Sequence, residues 1–256
     1  MLEFGTQHEL PEVLLIDDDL VSREVAATLL TMIGYTVHTA ESGLASLKML
    51  ETSTLRPGII LMDAQMPGMS GIELVRELRA AVHAAAIYIV SGSQPPEEVV
   101  SAADGLLLKP YTVEELRGLL QHGGPHHPAK AAQSYLNPGD QVLNPEVLTQ
   151  LRQLMPREAV REIYQTMVAD LDRRIVALEA AIDRHDAEEV RRIGHAIKGG
   201  CGMAGAVQAA RLGALLENVP SNSPEDDSFD DIRALLEDLR AAAVVLGHML
   251  EDELQL

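Results

Sequence analysis

Between residue 13 and about residue 122, short apolar runs alternate with amphipathic stretches. The runs read VLLI (13–16), TVHTA (36–40), GIILMD (58–63), AIYIVS (86–91) and GLLLK (105–109). Stretches such as REVAATLLTMI, GIELVRELRAAV and VEELRGLL separate them, with apolar residues three and four apart. Continuous apolar strands alternating with helices predict a parallel sheet covered on both faces. Five such units predict an α/β domain over 1–122, built on a doubly wound five-stranded parallel sheet.

The pattern breaks at HGGPHHPAKAAQSYLNPGDQ (122–141), a stretch rich in Gly, Pro and small residues that reads as linker, 123–145 in all. Beyond it the strand signal disappears. Stretches 146–155, 157–184, 187–201, 206–218 and 228–250 carry apolar residues at helical spacing. Asp186 suits the N-cap of the third, with acidic residues in its first turn. An all-α antiparallel helical bundle is expected over 146–256.

Composition narrows the function classes. The 256 residues are 46% hydrophobic, with no Trp and few Phe or Tyr, so the cores are aliphatic. Net charge is −19, and each half is acidic, so direct binding to nucleic acid through a broad basic face is not expected. One cysteine, Cys201, allows no intrachain disulfide and reads as a packing residue. The opening MLEFGTQHELPE lacks a signal-like apolar stretch, and no apolar run approaches the roughly 20 residues that span a bilayer. A cytoplasmic protein without membrane insertion is the expectation. No glycine-rich nucleotide-binding segment is visible, so no ATP-binding kinase module is expected either.

In a parallel sheet, functional groups gather at the carboxyl ends of the strands. Asp17, Asp18 and Asp19 follow the first run, and Asp63 ends the third. Ser91 and Gly92 end the fourth, and Lys109 with Pro110 ends the fifth. A lone aspartate at a strand end is usually a turn or cap residue, which is the reading for Asp19. Several carboxylates in one crevice repel each other unless a cation joins them, and hard oxygen donors suit Mg²⁺ (or Mn²⁺). A lysine and a hydroxyl beside them would hold the oxygens of a phosphoryl group carried on a carboxylate.

The segments LLIDDD, LMDAQMPGMSG, IVSGS and LLLKP, in this order and spacing, resemble the response-regulator receiver domain of two-component signalling. The resemblance covers residues 10–122 and implies a flavodoxin-like fold with Asp63 as phosphoacceptor. It implies Asp17, Asp18, Asp63 and the backbone carbonyl of Gln65 as metal ligands, and Ser91 and Lys109 as partners of the phosphoryl group. It also implies a cis Lys109–Pro110 peptide and an open approach at Gly92. Three residues before the lysine, where receivers commonly carry Tyr or Phe, this chain has Leu106.

A second locus is GHAIKGG (194–200). On a helix, Arg191, Lys198 and Gly199 share a face with His195, while Ile193, Ala196 and Ile197 point elsewhere. His195 would stand on an exposed stripe beside bare backbone, with Lys198 and Arg191, joined by Arg192, attracting a phosphoryl group. An isolated helical histidine is more often a surface or core residue than a nucleophile. Residues 146–256, however, resemble a histidine-containing phosphotransfer (HPt) domain, through ALEAAIDRHDAEEVRRIGHAIKGGCGMAGA and GALLENV. That resemblance implies His195 as phosphoacceptor, Lys198 as its positive neighbour and Gly199 as the open position.

Together these imply a phosphorelay intermediate that accepts phosphate on Asp63 and on His195. It would pass phosphate between a sensor histidine kinase, hybrid or not, and a partner response-regulator receiver. A different class is an adaptor whose contacts change when Asp63 is phosphorylated, with no transfer through His195. A Mg²⁺-dependent phosphatase is weaker, since Gln65 stands where such enzymes often carry an acid. Whether the receiver that meets His195 belongs to the same chain is left open by the sequence.

Overall fold

The computed structural model describes residues 10–122, 141–220 and 226–254. Most of the 123–145 connection, with His126 and His127, lies outside them. The first half forms strands β1 (Val13–Ile16), β2 (Val37–Ala40), β3 (Ile59–Asp63), β4 (Ala86–Ser91) and β5 (Gly105–Leu108). They pair in parallel in the order β2-β1-β3-β4-β5. Central β1 and β3 are buried at every position, as uninterrupted apolar runs require when helices cover both faces. Edge strand β2 is only partly buried, which tolerates its His38 and Thr39.

Helices α1 (Leu20–Met32), α2 (Gly43–Thr52), α3 (Gly71–Ala81), α4 (Glu97–Ala102) and α5 (Val113–His122) link and flank the strands. Two apolar cores result, one on each sheet face. Leu106 is buried in one of them with Ile89, Met66 and Val99, a packing position that leucine fills without an aromatic ring. The Lys109–Pro110 peptide is cis.

Every element among the described residues of the second half is a helix. It comprises α6 (Pro145–Leu154), α7 (Arg157–Asp183), α8 (Ala187–Met203), α9 (Val207–Glu217) and α10 (Asp226–Leu254). Asn144 caps α6 through its side chain, and Asp186 caps α8 by accepting from the Glu189 N–H at 3.0 Å. Helix α8 runs on through Gly199, Gly200 and Gly202 and stops at Gly205, whose φ of +79° suits glycine. The Ala206 N–H closes that end onto the Cys201 carbonyl at 2.8 Å.

Helices α8 and α9 meet glycine to glycine. A Cβ on Gly194 would lie 2.5 Å from the Glu217 nitrogen and 2.8 Å from the Gly213 carbonyl oxygen. A Cβ on Gly213 would lie 2.6 Å from the Lys198 nitrogen. Bare backbone on both sides lets the axes approach closely, and the approach brings the end of α9 beside His195.

The two halves are packed together. Helix α1 lies against α7 and α8. Val25, Leu29 and Tyr111 of the first half share one continuous apolar core with Leu148, Leu151 and Met203 of the second. The seam buries side chains at β5–α5 and along α1, the same edge of the sheet at which Asp17, Asp63 and Lys109 emerge.

Gly194→Ala tests the close helix crossing. Helix propensity alone would favour alanine by about 1 kcal/mol. Overpacking against α9 reverses the sign, and a net loss of roughly 1–3 kcal/mol is expected in urea unfolding, with a lower melting temperature.

Candidate functional site

Asp17 and Asp63 sit at the ends of adjacent strands β1 and β3, each almost fully buried. Lys109, buried at the end of β5, donates to Asp17 Oδ2 at 2.7 Å and to Asp63 Oδ2 at 2.6 Å. The remaining oxygens are also engaged. Asp17 Oδ1 accepts from the Asp19 N–H at 2.9 Å, and Asp17 Oδ2 accepts from the Ser22 hydroxyl at 2.7 Å. Asp63 Oδ1 accepts from the Gln65 N–H at 2.8 Å. Burial works against the Lys109 charge, but the two carboxylates outweigh it and hold the ammonium well above the ordinary lysine range. Ser91 is fully buried at the end of β4, next in the sheet to β3.

Asp18 is half-buried beside them. Its carboxyl is pushed up by burial and then by the negative charges of Asp17 and Asp63, with Lys109 opposing. Asp19 has a different job from its neighbours. It caps α1 by accepting from the Ser22 N–H at 2.7 Å, and it also meets Arg174 of α7 at 2.5 Å. Burial raises its carboxyl to about 6, with Arg174 pulling against the rise.

On the bundle side, His195 Nδ1 lies 2.7 Å from Glu217 Oε1, and Lys198 donates to Glu217 Oε2 at 2.9 Å. Burial opposes the Glu217 charge, yet hydrogen bonds from His195 and Lys198 hold its carboxyl down at about 2. An ionised carboxylate only accepts, so the imidazole carries its proton on Nδ1. That leaves Nε2 as the nitrogen with a lone pair when the ring is neutral.

The two groups of residues face one another. Asp18, Asp63, Gln65, Gly92 and Lys109 line one side of a cavity of about 610 Å³, and Arg191, Arg192, His195, Ala196, Gly199 and Glu217 line the other. A Cβ on Gly92 would stand 3.6 Å from His195 Cε1, so the ring lies directly over that glycine. The imidazole was expected to face solvent. Instead its side chain is 20% exposed, because the first half covers it, and it stays outside the bundle core formed by Ile193 and Ile197.

The expected positive rim is rearranged as well. Lys198 is tethered to Glu217, Arg191 donates to the Val219 carbonyl at 3.3 Å, and Arg192 forks onto Glu189 at 2.7 and 2.5 Å. Ala196, expected to point away, lines the cavity. Gly199 has nothing within 4 Å of its would-be Cβ, which keeps the floor beside His195 open. Cys201 is buried, and burial pushes its thiol up to about 12, so it is a packing group without thiolate chemistry. Glu217 was not singled out from the sequence. The signal available was His195 and Lys198 on one helical face, two donors that together ask for an anion opposite.

Residues 13–121 match the family model of the response regulator receiver domain, and residues 162–242 match that of the Hpt domain. The chain carries both domains. Over 213 residues, 80% of its length, it is 32% identical to the sensor histidine kinase AruS of Pseudomonas aeruginosa, of which the stretch is 20%. It is 33% identical over 108 residues to the response regulator MprA of Mycobacterium ulcerans, 41% of this chain and 46% of that one. The solved chemotaxis protein CheY4 of Vibrio cholerae is 30% identical and aligns with 44% of this chain and 97% of its own, at a TM-score of 0.40. The chain thus spans a fifth of the kinase and about half of the regulator.

Both matched domain types are those of two-component signalling proteins. Receiver domains generally bind Mg²⁺ at their aspartate pocket. The donors here fit that ion chemically: they are hard oxygens, and the Asp17 and Asp63 charges that add to burial in raising Asp18 are what a divalent cation offsets. Among the described residues no three His, Cys, Asp or Glu side chains form a ready-made metal cluster, and Lys109 bridges Asp17 and Asp63. Mg²⁺ commonly takes one or two carboxylates and keeps water for the rest. Among the described residues no helix is long and apolar enough to cross a membrane.

Glu217→Gln tests the histidine's partner. Because the folded-state value of Glu217 lies below its ordinary 4.5, its carboxylate contributes stability above about pH 4.5 that is lost as pH falls through about 2. Urea unfolding should show wild type more stable than the variant at pH 7, with the gap closing as pH falls from 4.5 towards 2.

Proposed function

We propose that this protein is a phosphorelay intermediate in which phosphate moves between Asp63 and His195 of the same chain. The domains involved are a receiver over 1–122 and a phosphotransfer bundle over 146–256, joined by 123–145. The observation that carries the reading is the shared cavity, with His195 seated over Gly92 and the Asp63 pocket across from it. Phosphate would enter from a sensor histidine kinase and leave to a partner receiver.

Transfer onto the bundle needs little covalent work beyond alignment and charge neutralisation. The Nε2 lone pair attacks phosphorus, a P–N bond forms, and the P–O bond to Asp63 breaks with its electron pair returning to the carboxylate. The ring becomes a phosphorylated imidazolium, and Glu217 at Nδ1–H balances the new positive charge. In reverse, the Asp63 oxygen attacks and the P–N electrons return to Nε2. Lys109, already bonded to Asp63, pairs with the phosphoryl oxygens while phosphate is on the aspartate. Ser91 offers a hydroxyl beside it, and Asp17, Asp18, Asp63 and the Gln65 carbonyl would hold Mg²⁺. When bound, that ion neutralises phosphoryl charge. Lys198 acts through Glu217, and Gly199 leaves the floor clear.

The test is labelling of the full chain with a radioactive acyl phosphate such as acetyl phosphate. Wild type should carry label on Asp63 first and on His195 later, as an acid-labile, alkali-stable fraction, at a rate independent of protein concentration. Asp63→Ala should take label on neither residue. His195→Ala should keep only the alkali-labile acyl phosphate. If His195→Ala leaves passage to partner receivers intact, relay is wrong and gated binding is right.

A further inference from the structure

Asp19 and Gly200 are left over from the chemistry above. Asp19 is not needed in the Lys109 cluster, and Gly200 is not needed for access to His195. Yet the two meet. A Cβ on Gly200 would stand 2.7 Å from Asp19 Oδ1 and 3.2 Å from Oδ2, and its three nearest neighbours are all atoms of Asp19. The Asp19 carboxylate therefore lies flat on the bare backbone of α8. Arg174 of α7 grips the same carboxylate at 2.5 Å, and Asp170 one turn earlier steadies the guanidinium. Both ends of the pair are shielded, with side-chain exposures of 7% and 19%.

A charge pair removed from water is strongly unfavourable when one partner is lost, and it discriminates between partners more than it adds affinity. The apolar part of the seam, Val25 and Leu29 against Leu151 and Met203, is generic by comparison. Any amphipathic α1 offers similar surface. Only a receiver with an acid immediately after its acidic pair fills the slot that Gly200 opens and satisfies Arg174.

We infer that Asp19, Arg174 and Gly200 form a docking latch that selects the receiver admitted to His195, favouring receivers with a carboxylate one residue past the acidic pair, this chain's own first among them. The inference rests on the relay reading for its purpose, but the latch itself is a statement about docking. A receiver with a neutral or basic residue at that position would leave the shielded Arg174 guanidinium with Asp170 alone and its Nη2 group unmatched. The bundle would hand phosphate to it slowly.

Small-angle scattering of the full chain reads docking without any phosphate, and the acetyl-phosphate label reads transfer. Wild type should be compact. Arg174→Glu and Gly200→Val should both enlarge the radius of gyration and slow movement of label from Asp63 to His195 at least tenfold. Gly200→Val leaves every group of the Asp63 pocket in place and should still label Asp63 at no less than the wild-type rate. Gly200→Ala separates docking from folding. Alanine is a good helix former, so the far-ultraviolet circular dichroism should match wild type while transfer falls.

Compact variants that transfer at the wild-type rate would overturn the latch, as would an extended wild type. If wild type is compact and the variants expand but no label reaches His195 in wild type, the latch stands and the relay reading fails.

Discussion

Four carboxylates, those of Asp17, Asp18, Asp19 and Asp63, emerge at one edge of the sheet, and burying them together is tolerable only if each finds positive charge. The fold allots the partners in order of depth. Lys109, deepest, serves Asp17 and Asp63 at once. Arg174, arriving from the other domain, serves Asp19. Asp18 is the remainder, its carboxyl pushed up by burial and by its neighbours. A divalent cation and the phosphoryl group it accompanies complete the set chemically, and the unmet demand sits on the wall that faces His195.

Much of this was legible from residue patterns because the relevant signals are local. All five strands appear within a residue of the apolar runs, since a buried parallel strand has nothing but apolar positions to show. Asp186 announced the start of α8, and the strand-end residues Asp17, Asp63, Ser91 and Lys109 converge as the parallel topology requires. What stayed hidden is non-local. Glu217 is 22 residues from His195, and Arg174 is 155 from Asp19. No periodicity links such pairs. The docking of the domains was equally invisible, because Val25, Leu29 and Leu151 read as ordinary core positions of their own helices and carry no mark of a shared core.

The part of the surroundings of His195 that the sequence did not show has the same origin. Helical spacing places Lys198 beside the histidine but does not say what lies opposite. The anion opposite is Glu217, so the lysine's charge is spent on a carboxylate that also orients the imidazole. With Glu217 ionised at Nδ1–H, a neutral ring keeps its lone pair on Nε2.

The glycines of GHAIKGG resolve into three separate demands on one helix. Gly194 lets α9 approach, which is what places Glu217. Gly199 faces open space beside the imidazole. Gly200 receives Asp19 from the opposite domain. Each costs about 1 kcal/mol of helix propensity relative to alanine, so the isolated helix is poor. Its stability is supplied by burial of Ile193, Ile197, Cys201 and Met203 on the inner face, leaving the outer face free to be bare where approach decides function. Helix α8 is therefore weak by propensity and held by packing, and that division is what lets a second domain come within contact distance of its histidine.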